Sequence, residues 1–165
     1  MRHFSRRPQN TLIVVVLLLI VAVMRWWPPE VEPEFQGELQ ERVYRVQRVI
    51  DGDTLVLVNG ARIRLIGADT PETYRANEPY GPEATEFTRQ FVSGGEVRLQ
   101  FDGRRKDKYQ RFLAHVWVND EMLAEELIRA GLAEVTDYPY SAAVKQRLKT
   151  RQQEAKAAGR RIWSH

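Results

Sequence analysis

Val43-Tyr-Arg-Val-Gln-Arg-Val-Ile50, Asp51-Gly-Asp53-Thr54, Leu55-Val-Leu-Val58, Asn59-Gly60 and Arg62-Ile-Arg-Leu-Ile66 follow one another in a single stretch of the chain. The apolar residues come in short runs rich in Val, Ile and Leu, which suits a pleated, half-buried strand. Asn-Gly between two such runs is the strongest short-range signal for a two-residue hairpin, because both residues accept the positive φ of the primed turns. The stretch therefore predicts three strands, over 43–50, 55–58 and 62–66, joined as a meander.

Working outward, Pro82 opens Pro-Glu-Ala-Thr-Glu-Phe-Thr-Arg-Gln-Phe-Val92, with acids early and Ser93-Gly94-Gly95 behind it, the start and stop signals of a helix in the right order. Glu96 to Phe101 returns to alternation, and Phe112 to Val118 reads as a fifth strand beyond a charged loop, Asp102 to Arg111. Helices fit Glu121 to Ala130, stopped by Gly131, and Ser141 to Ala158, stopped by Gly159. Five short strands, one helix among them and two after them, predict an α+β, mainly β fold. The candidate is a small, partly open five-stranded oligonucleotide-binding (OB) barrel capped by three helices.

Ahead of this domain, residues 1–10 form a basic segment with Arg2, Arg6 and Arg7. An uncharged apolar run, Thr11 to Met24, and the pair Trp26-Trp27 follow, so residues 11–27 read as a signal anchor or signal peptide. The exit Val21-Ala22-Val23-Met24 has no clear small-x-small cleavage site, which favours a retained apolar anchor helix over a removed signal. The arginines before the run keep the N-terminus inside and send the rest across the membrane; cleavage would make the protein secreted. Residues 28–40 carry Pro28, Pro29, Pro33 and four glutamates, an extended linker, and the domain is expected over 41–165.

The chain has no cysteine, which excludes disulfides, thiolate metal sites and a cysteine nucleophile, and leaves any metal to oxygen or histidine. Charge excludes less. Residues 31–140 carry 14 basic and 20 acidic side chains, and residues 141–165 carry seven basic and one acidic, so the part after the apolar run is neutral. A basic total is no argument for nucleic acid here. The basic C-terminal run tracks nucleic acid or anionic lipid, or is a solvated helix face.

Carboxylates and arginines concentrate where strands meet loops: Asp51-Gly-Asp53-Thr54, Arg64-Leu-Ile-Gly-Ala-Asp69-Thr70-Pro71-Glu72, and Asp107-Lys108-Tyr109-Gln110-Arg111. Each patch alone is an ordinary turn or loop. Their order and spacing, together with Pro82-Glu-Ala, Leu113-Ala114, Gly131-Leu-Ala133 and Ile162-Trp163, resemble the staphylococcal nuclease (thermonuclease) family over nearly all of residues 43–163. That resemblance implies an OB barrel with three helices and a calcium-dependent phosphodiesterase acting on single-stranded DNA and RNA, leaving 3′-phosphate ends. It implies that Asp53, Asp69 and the Thr70 carbonyl bind Ca2+, that Glu72 activates water, and that Arg64 and Arg111 bind phosphate. Oxygen ligands by themselves suit calcium, magnesium and manganese alike.

Lys108 is expected to touch phosphate and Tyr109 to stack or hydrogen-bond with substrate. Asp51 holds the loop or supports the metal from behind, His115 is a structural histidine inside a strand, and Trp117 and Trp163 read as core. The chain departs from the family at Gln110, where a glycine is common, and at Asp137 and Pro139, where tyrosines hold the terminal nucleotide. The loop from Tyr74 to Tyr80 looks shorter than the family's. A monomer is expected. The competing reading is a catalytically inert barrel that binds nucleic acid or protein at the membrane, and the full set of acids and arginines argues against it.

Overall fold

The computed structural model describes residues 13–19, 35–73 and 78–164. The chain divides into two units, residues 1–33 and 34–165. In the first, residues 13–19 are helical. Among the described residues no helix is long and apolar enough to cross a membrane. The remainder of the expected anchor, the basic segment 1–10, residues 28–34 of the linker and loop residues 74–77 lie outside the described residues.

The second unit is a closed five-stranded barrel. β1 (Val43–Asp51) pairs antiparallel with β5 (Glu96–Gln100) through its first residues and with β2 (Thr54–Leu57) through its later ones. Register shifts between Val46 and Arg48 and between Val49 and Asp51 bend it from one partner to the other, as bulges do at barrel corners. The expected hairpin joins β2 to β3 (Arg62–Leu65), but not through a two-residue primed turn: only Gly60 is at positive φ, 83°, and the Gly60 amide bonds to the Leu57 carbonyl while the Leu57 amide bonds to the Ala61 carbonyl, which makes a three-residue loop, 58–60. β5 pairs antiparallel with β6 (Phe112–Val118), and β6 pairs parallel with β3, Ile63 opposite Phe112 and Leu65 opposite Ala114. That parallel pair closes the barrel, where the sequence predicted a partly open one.

Three two-residue strands are additions. β4 (Ala68–Asp69) pairs with β8 (Glu134–Val135), and β7 (Glu121–Met122) pairs with the end of β6. The helix expected from Glu121 therefore starts later: Asn119, at φ 54°, turns the chain back into β7 before α2 (Leu123–Arg129) begins. α1 (Gly81–Phe91) and α3 (Ala142–Ala157) fall within a residue of their predicted spans.

Leu55, Leu57, Ile63, Leu65, Val97, Leu99 and Val116 fill the barrel at 1% exposure or less, each contributing ~1.5–3 kcal/mol by leaving water. Leu127, Ile128 and Leu132 seal one end and Leu148 packs from α3. The compact unit also takes in residues before 41, since Leu39 is as buried as any of these. Trp117 is half-buried and packs against the core with Arg98 and Arg147 over its ring, whereas Trp163 is half-buried outside that cluster with Lys156 over its ring, which corrects its reading as core.

Candidate functional site

In β3, Ile63 and Leu65 face the core, so strand alternation turns Arg64 to the outer face, where it lies beside Thr54 of β2 and Leu113 of β6. An arginine seldom stays 7% exposed without partners. Here Nη1 is ion-paired with Asp53 Oδ2 and Nη2 with Asp69 Oδ1, so one guanidinium sits between two carboxylates.

The turn before β2 brings Asp53 to this point. Its amide donates to Asp51 Oδ1 at 3.2 Å, and Thr88 of α1 donates its hydroxyl to the Gly52 carbonyl at 2.6 Å. A Cβ on Gly52 would lie 2.7–2.8 Å from Thr70 and Ala84, so only glycine lets the turn approach that closely. Asp53 is then held from several sides: Oδ1 accepts from Thr54 Oγ1 at 3.0 Å, and Oδ2 accepts from the Thr70 amide at 3.0 Å and its hydroxyl at 3.2 Å. Burial pushes Asp51 above the ordinary carboxylate value, against the pull of Thr54, Arg64 and Arg111.

The other half comes from the 102–111 loop. Arg111 Nε donates to Asp107 Oδ2 at 2.7 Å, and Asp107 Oδ1 accepts the amides of Tyr109 and Arg111 at 2.8 and 3.0 Å. Burial raises the Asp107 pKa, but the bonds from Arg111 outweigh it and hold the carboxyl below 3.8. Arg111 Nη1 reaches Thr54 Oγ1 at 3.4 Å, and that hydroxyl donates to Asp53. Thr54 thus joins the two halves. Tyr109 is exposed, with Lys108 Nζ 4.9 Å and the Arg111 guanidinium 5.5 Å from its ring centre.

The structure therefore brings Asp53, Asp69, Thr70, Arg64 and Arg111 into one network, with Lys108 and Tyr109 at its exposed rim. Glu72 stands at the surface outside that network: its amide donates to Glu78 Oε2 at 2.9 Å and its carbonyl accepts the Glu78 amide at 3.0 Å. Sequence reasoning undervalued Thr54, whose hydroxyl carries no distinctive pattern, and passed over Asp107, although its i,i+4 spacing to Arg111 was visible.

Beside Asp69 opens a cleft of about 500 Å³, lined by Thr70, Pro71, Glu78, Glu134, Val135, Thr136, Asp137 and Ile162. Asp137 pairs with Lys145 at 2.9 Å, which holds its carboxyl below 3.8. Tyr140 is half-buried, its hydroxyl donating to the Thr136 carbonyl at 3.2 Å; burial, then Asp137 and Asp102, push its pKa up to about 12.

The donor chemistry fits a hard divalent cation. Two carboxylates converge on one positive group, and His115 is buried elsewhere against Asp102 and Tyr140. Among the described residues no three acids or histidines gather into a cage. Such a site leaves most of the six to eight oxygen positions of a calcium-sized ion to carbonyl, water and phosphate.

The family model described as "Staphylococcal nuclease homologue" matches residues 62–165. The chain is 40% identical over 131 residues to a Thermonuclease of Staphylococcus hyicus, covering 76% of this chain and 78% of that relative. It is 42% identical over 126 residues to a Thermonuclease of Staphylococcus intermedius, covering 73% and 75%. Endonuclease YncB of Bacillus subtilis is 40% identical over 128 residues, which cover 72% of this chain and 60% of that protein.

Proposed function

Because the chain belongs to the staphylococcal nuclease family, we propose that it is a nuclease that hydrolyses the phosphodiester bonds of DNA and RNA with Ca2+ as cofactor. The observation that carries this reading is the network itself: Arg64 held between two acids and linked through Asp53 and Thr54 to Arg111.

Asp53, Asp69 and the Thr70 carbonyl would hold the calcium ion, which supplies charge neutralisation to the diester and acidity to a bound water. Glu72, on the exposed segment two residues beyond Thr70, takes the proton of the attacking water once substrate brings that water to it. The water oxygen bonds to phosphorus as the P–O5′ bond breaks, and the leaving 5′ oxygen takes a proton from solvent, which leaves a 3′-phosphate. Negative charge grows on the equatorial oxygens during this step. The planar forks of Arg64 and Arg111 bind such oxygens in pairs, more tightly in the transition state than in the diester. Lys108 contacts phosphate and Tyr109 offers an exposed ring to a base.

The arginines before the apolar run and the missing cleavage pattern support a protein anchored in the membrane, with this domain on the extracytoplasmic side. The test is the full chain incubated with single-stranded DNA and RNA, in calcium or in excess chelator. Cutting in calcium alone is expected, with Glu72→Gln slower by roughly 10²–10⁴-fold, the usual contribution of a general base. A folded chain that cuts neither substrate with calcium, magnesium or manganese overturns the proposal.

A further inference from the structure

Residues 35–41 do more than lead into the domain. Leu39 is buried in the core at 1% exposure, and its carbonyl accepts a hydrogen bond from Arg105 Nη2. The Arg105 guanidinium also lies 3.6 Å from the centre of the Phe101 ring, and the Phe101 amide donates to Glu41 Oε1 at 2.9 Å. At the front of the segment, the Phe35 ring packs 6.0 Å from that of Phe112, whose ring also carries Lys106 Nζ at 4.4 Å. A Cβ on Gly37 would lie 2.5 Å from the tip of the Phe35 ring, so a side chain there would push that ring aside.

Both contact points adjoin the supports of Arg111. Arg105 precedes Asp107 by two residues, and its carbonyl accepts the Leu113 amide at 2.9 Å, closing the base of the loop. Phe112 follows Arg111 directly. Across the site, among the described residues, Arg111 makes one side-chain hydrogen bond to the strand-borne half, a long one to Thr54 at 3.4 Å. A bond that long is too weak to set the spacing of two guanidinium groups; the β3–β6 pairing that begins at Phe112 fixes the backbone after Arg111, and the frame at the base of the loop fixes the backbone before it.

We infer that residues 35–41 form a strap, clasped by Arg105, that positions Arg111 for phosphate binding. Its catalytic consequence rests on the nuclease reading above; its structural part does not. Arg105 is a positioning residue, acting through Asp107 and Phe112.

The experiment compares the full chain with Arg105→Ala, Arg105→Lys and Phe35→Ala at a temperature where each retains the native circular dichroism spectrum. Hydrogen exchange is followed in peptides covering 107–112 and 54–69, and kcat and KM are measured on a single-stranded oligonucleotide in calcium. Arg105→Ala is expected to speed exchange at 107–112 while leaving 54–69 as it was, and to lower kcat about ten-fold with little change in KM, a modest misplacement by the scale of such effects. Arg105→Lys, which keeps a cation over Phe101, should recover part of both. Should Arg105→Ala fail to fold, Phe35→Ala carries the same comparison with a milder loss. Unchanged exchange at 107–112, equal acceleration across the barrel, or faster exchange with wild-type kcat would each overturn the inference. If the wild-type chain does not cut at all, the nuclease reading falls while the exchange comparison still decides whether the strap holds the loop.

Discussion

Arg64 and Arg111 are the same residue type aimed at the same place, yet the molecule holds them in different ways. Arg64 stands on a central barrel strand, is 7% exposed, and is fixed by strand register and by two carboxylates. Arg111 stands at the end of a ten-residue loop and is held by one buried carboxylate four residues earlier. The difference teaches where each half is vulnerable. Breaking the first leaves uncompensated charge inside a rigid wall; breaking the second leaves the wall intact and lets a side chain drift.

The largest effect should follow Arg64→Met, which keeps volume and removes the cation. Asp53 would remain buried with its donors but without its positive partner, at a cost of about 3–5 kcal/mol. Nuclease activity should fall by 10²-fold or more, roughly the loss of one transition-state donor. Urea unfolding checks the stability. Calcium sharpens the test: in the variant it should raise the unfolding midpoint more than in the wild type, because it resupplies the missing charge. Equal calcium shifts would show that Arg64 does not neutralise the acids a cation would use.

Asp107→Asn should strike the loop half alone. The amide can still accept from the Tyr109 and Arg111 amides but loses the charge that grips Arg111 Nε. With Oδ1 on those amides, the NH2 that replaces Oδ2 is a donor facing the Arg111 Nε–H, so that charge-assisted bond is lost outright, at about 1.5–3 kcal/mol in stability. We expect kcat to fall by roughly 10- to 100-fold through misplaced Arg111, with calcium binding by titration calorimetry unchanged. Weakened calcium binding would mean that the two halves are less independent than the long Thr54 bond and their shared pull on Asp51 suggest.

The same contrast governs what was legible in the sequence. The strand-borne half was readable because alternation, the Asn59-Gly60 turn and the Asp-Gly-Asp turn are local signals. The parallel closure of β3 on β6 joins residues about fifty positions apart and leaves no periodic trace. Two-residue strands such as β4 and β8 are too short to show a period, so nothing announced that Asp69 faces Glu134. The strap was hidden for a similar reason: Phe35 and Leu39 are isolated apolar residues in a stretch whose proline and glutamate content reads as spacer. The basic C-terminal run shows composition outweighing context. Arg147 and Arg151 pair with Glu125, Lys145 with Asp137, and Arg160 and Arg161 donate to the carbonyls of Arg129 and Ala130. Much of that charge serves the packing of α3 and the C-terminal turn.

Acid should load the loop half through His115. This residue lies in β6 with its Nε2 3.5 Å from Asp102, the residue at the start of the loop, and with Tyr140 and Arg147 as its other polar neighbours. Burial, against the pull of Asp102, holds its pKa below 6.5. A depressed histidine costs nothing while both states are neutral, so its contribution is whole above pH of about 6.5. As pH falls from there through the lower folded value, the unfolded chain binds the proton first and stability drops, by at most about 1.4 kcal/mol per pH unit for one proton. His115→Gln should flatten that part of the stability profile measured by urea titration. An unaltered slope would assign the acid loss to the carboxylates instead.

The smallest effect should also separate the halves most cleanly. Gln110, immediately before Arg111, sits at φ 62°, the left-handed region that glycine enters freely and side chains enter at a cost of about 1–2 kcal/mol. The loop keeps the conformation a glycine would give it, held there by the Gln110 amide bonding to the Asp107 carbonyl at 3.2 Å and by the grip of Asp107 on both neighbouring amides. Gln110→Gly removes the steric cost and adds unfolded-state freedom worth roughly 0.5–1 kcal/mol, so a net gain of up to about 1 kcal/mol is expected. The unfolding midpoint in urea should rise while kcat stays near wild type, since Arg111 already occupies its place. A gain in stability with a fall in kcat would mean that the Gln110 side chain stiffens the loop beyond its backbone angle. The loop half would then depend on a residue that the strand half, built from register, has no counterpart for.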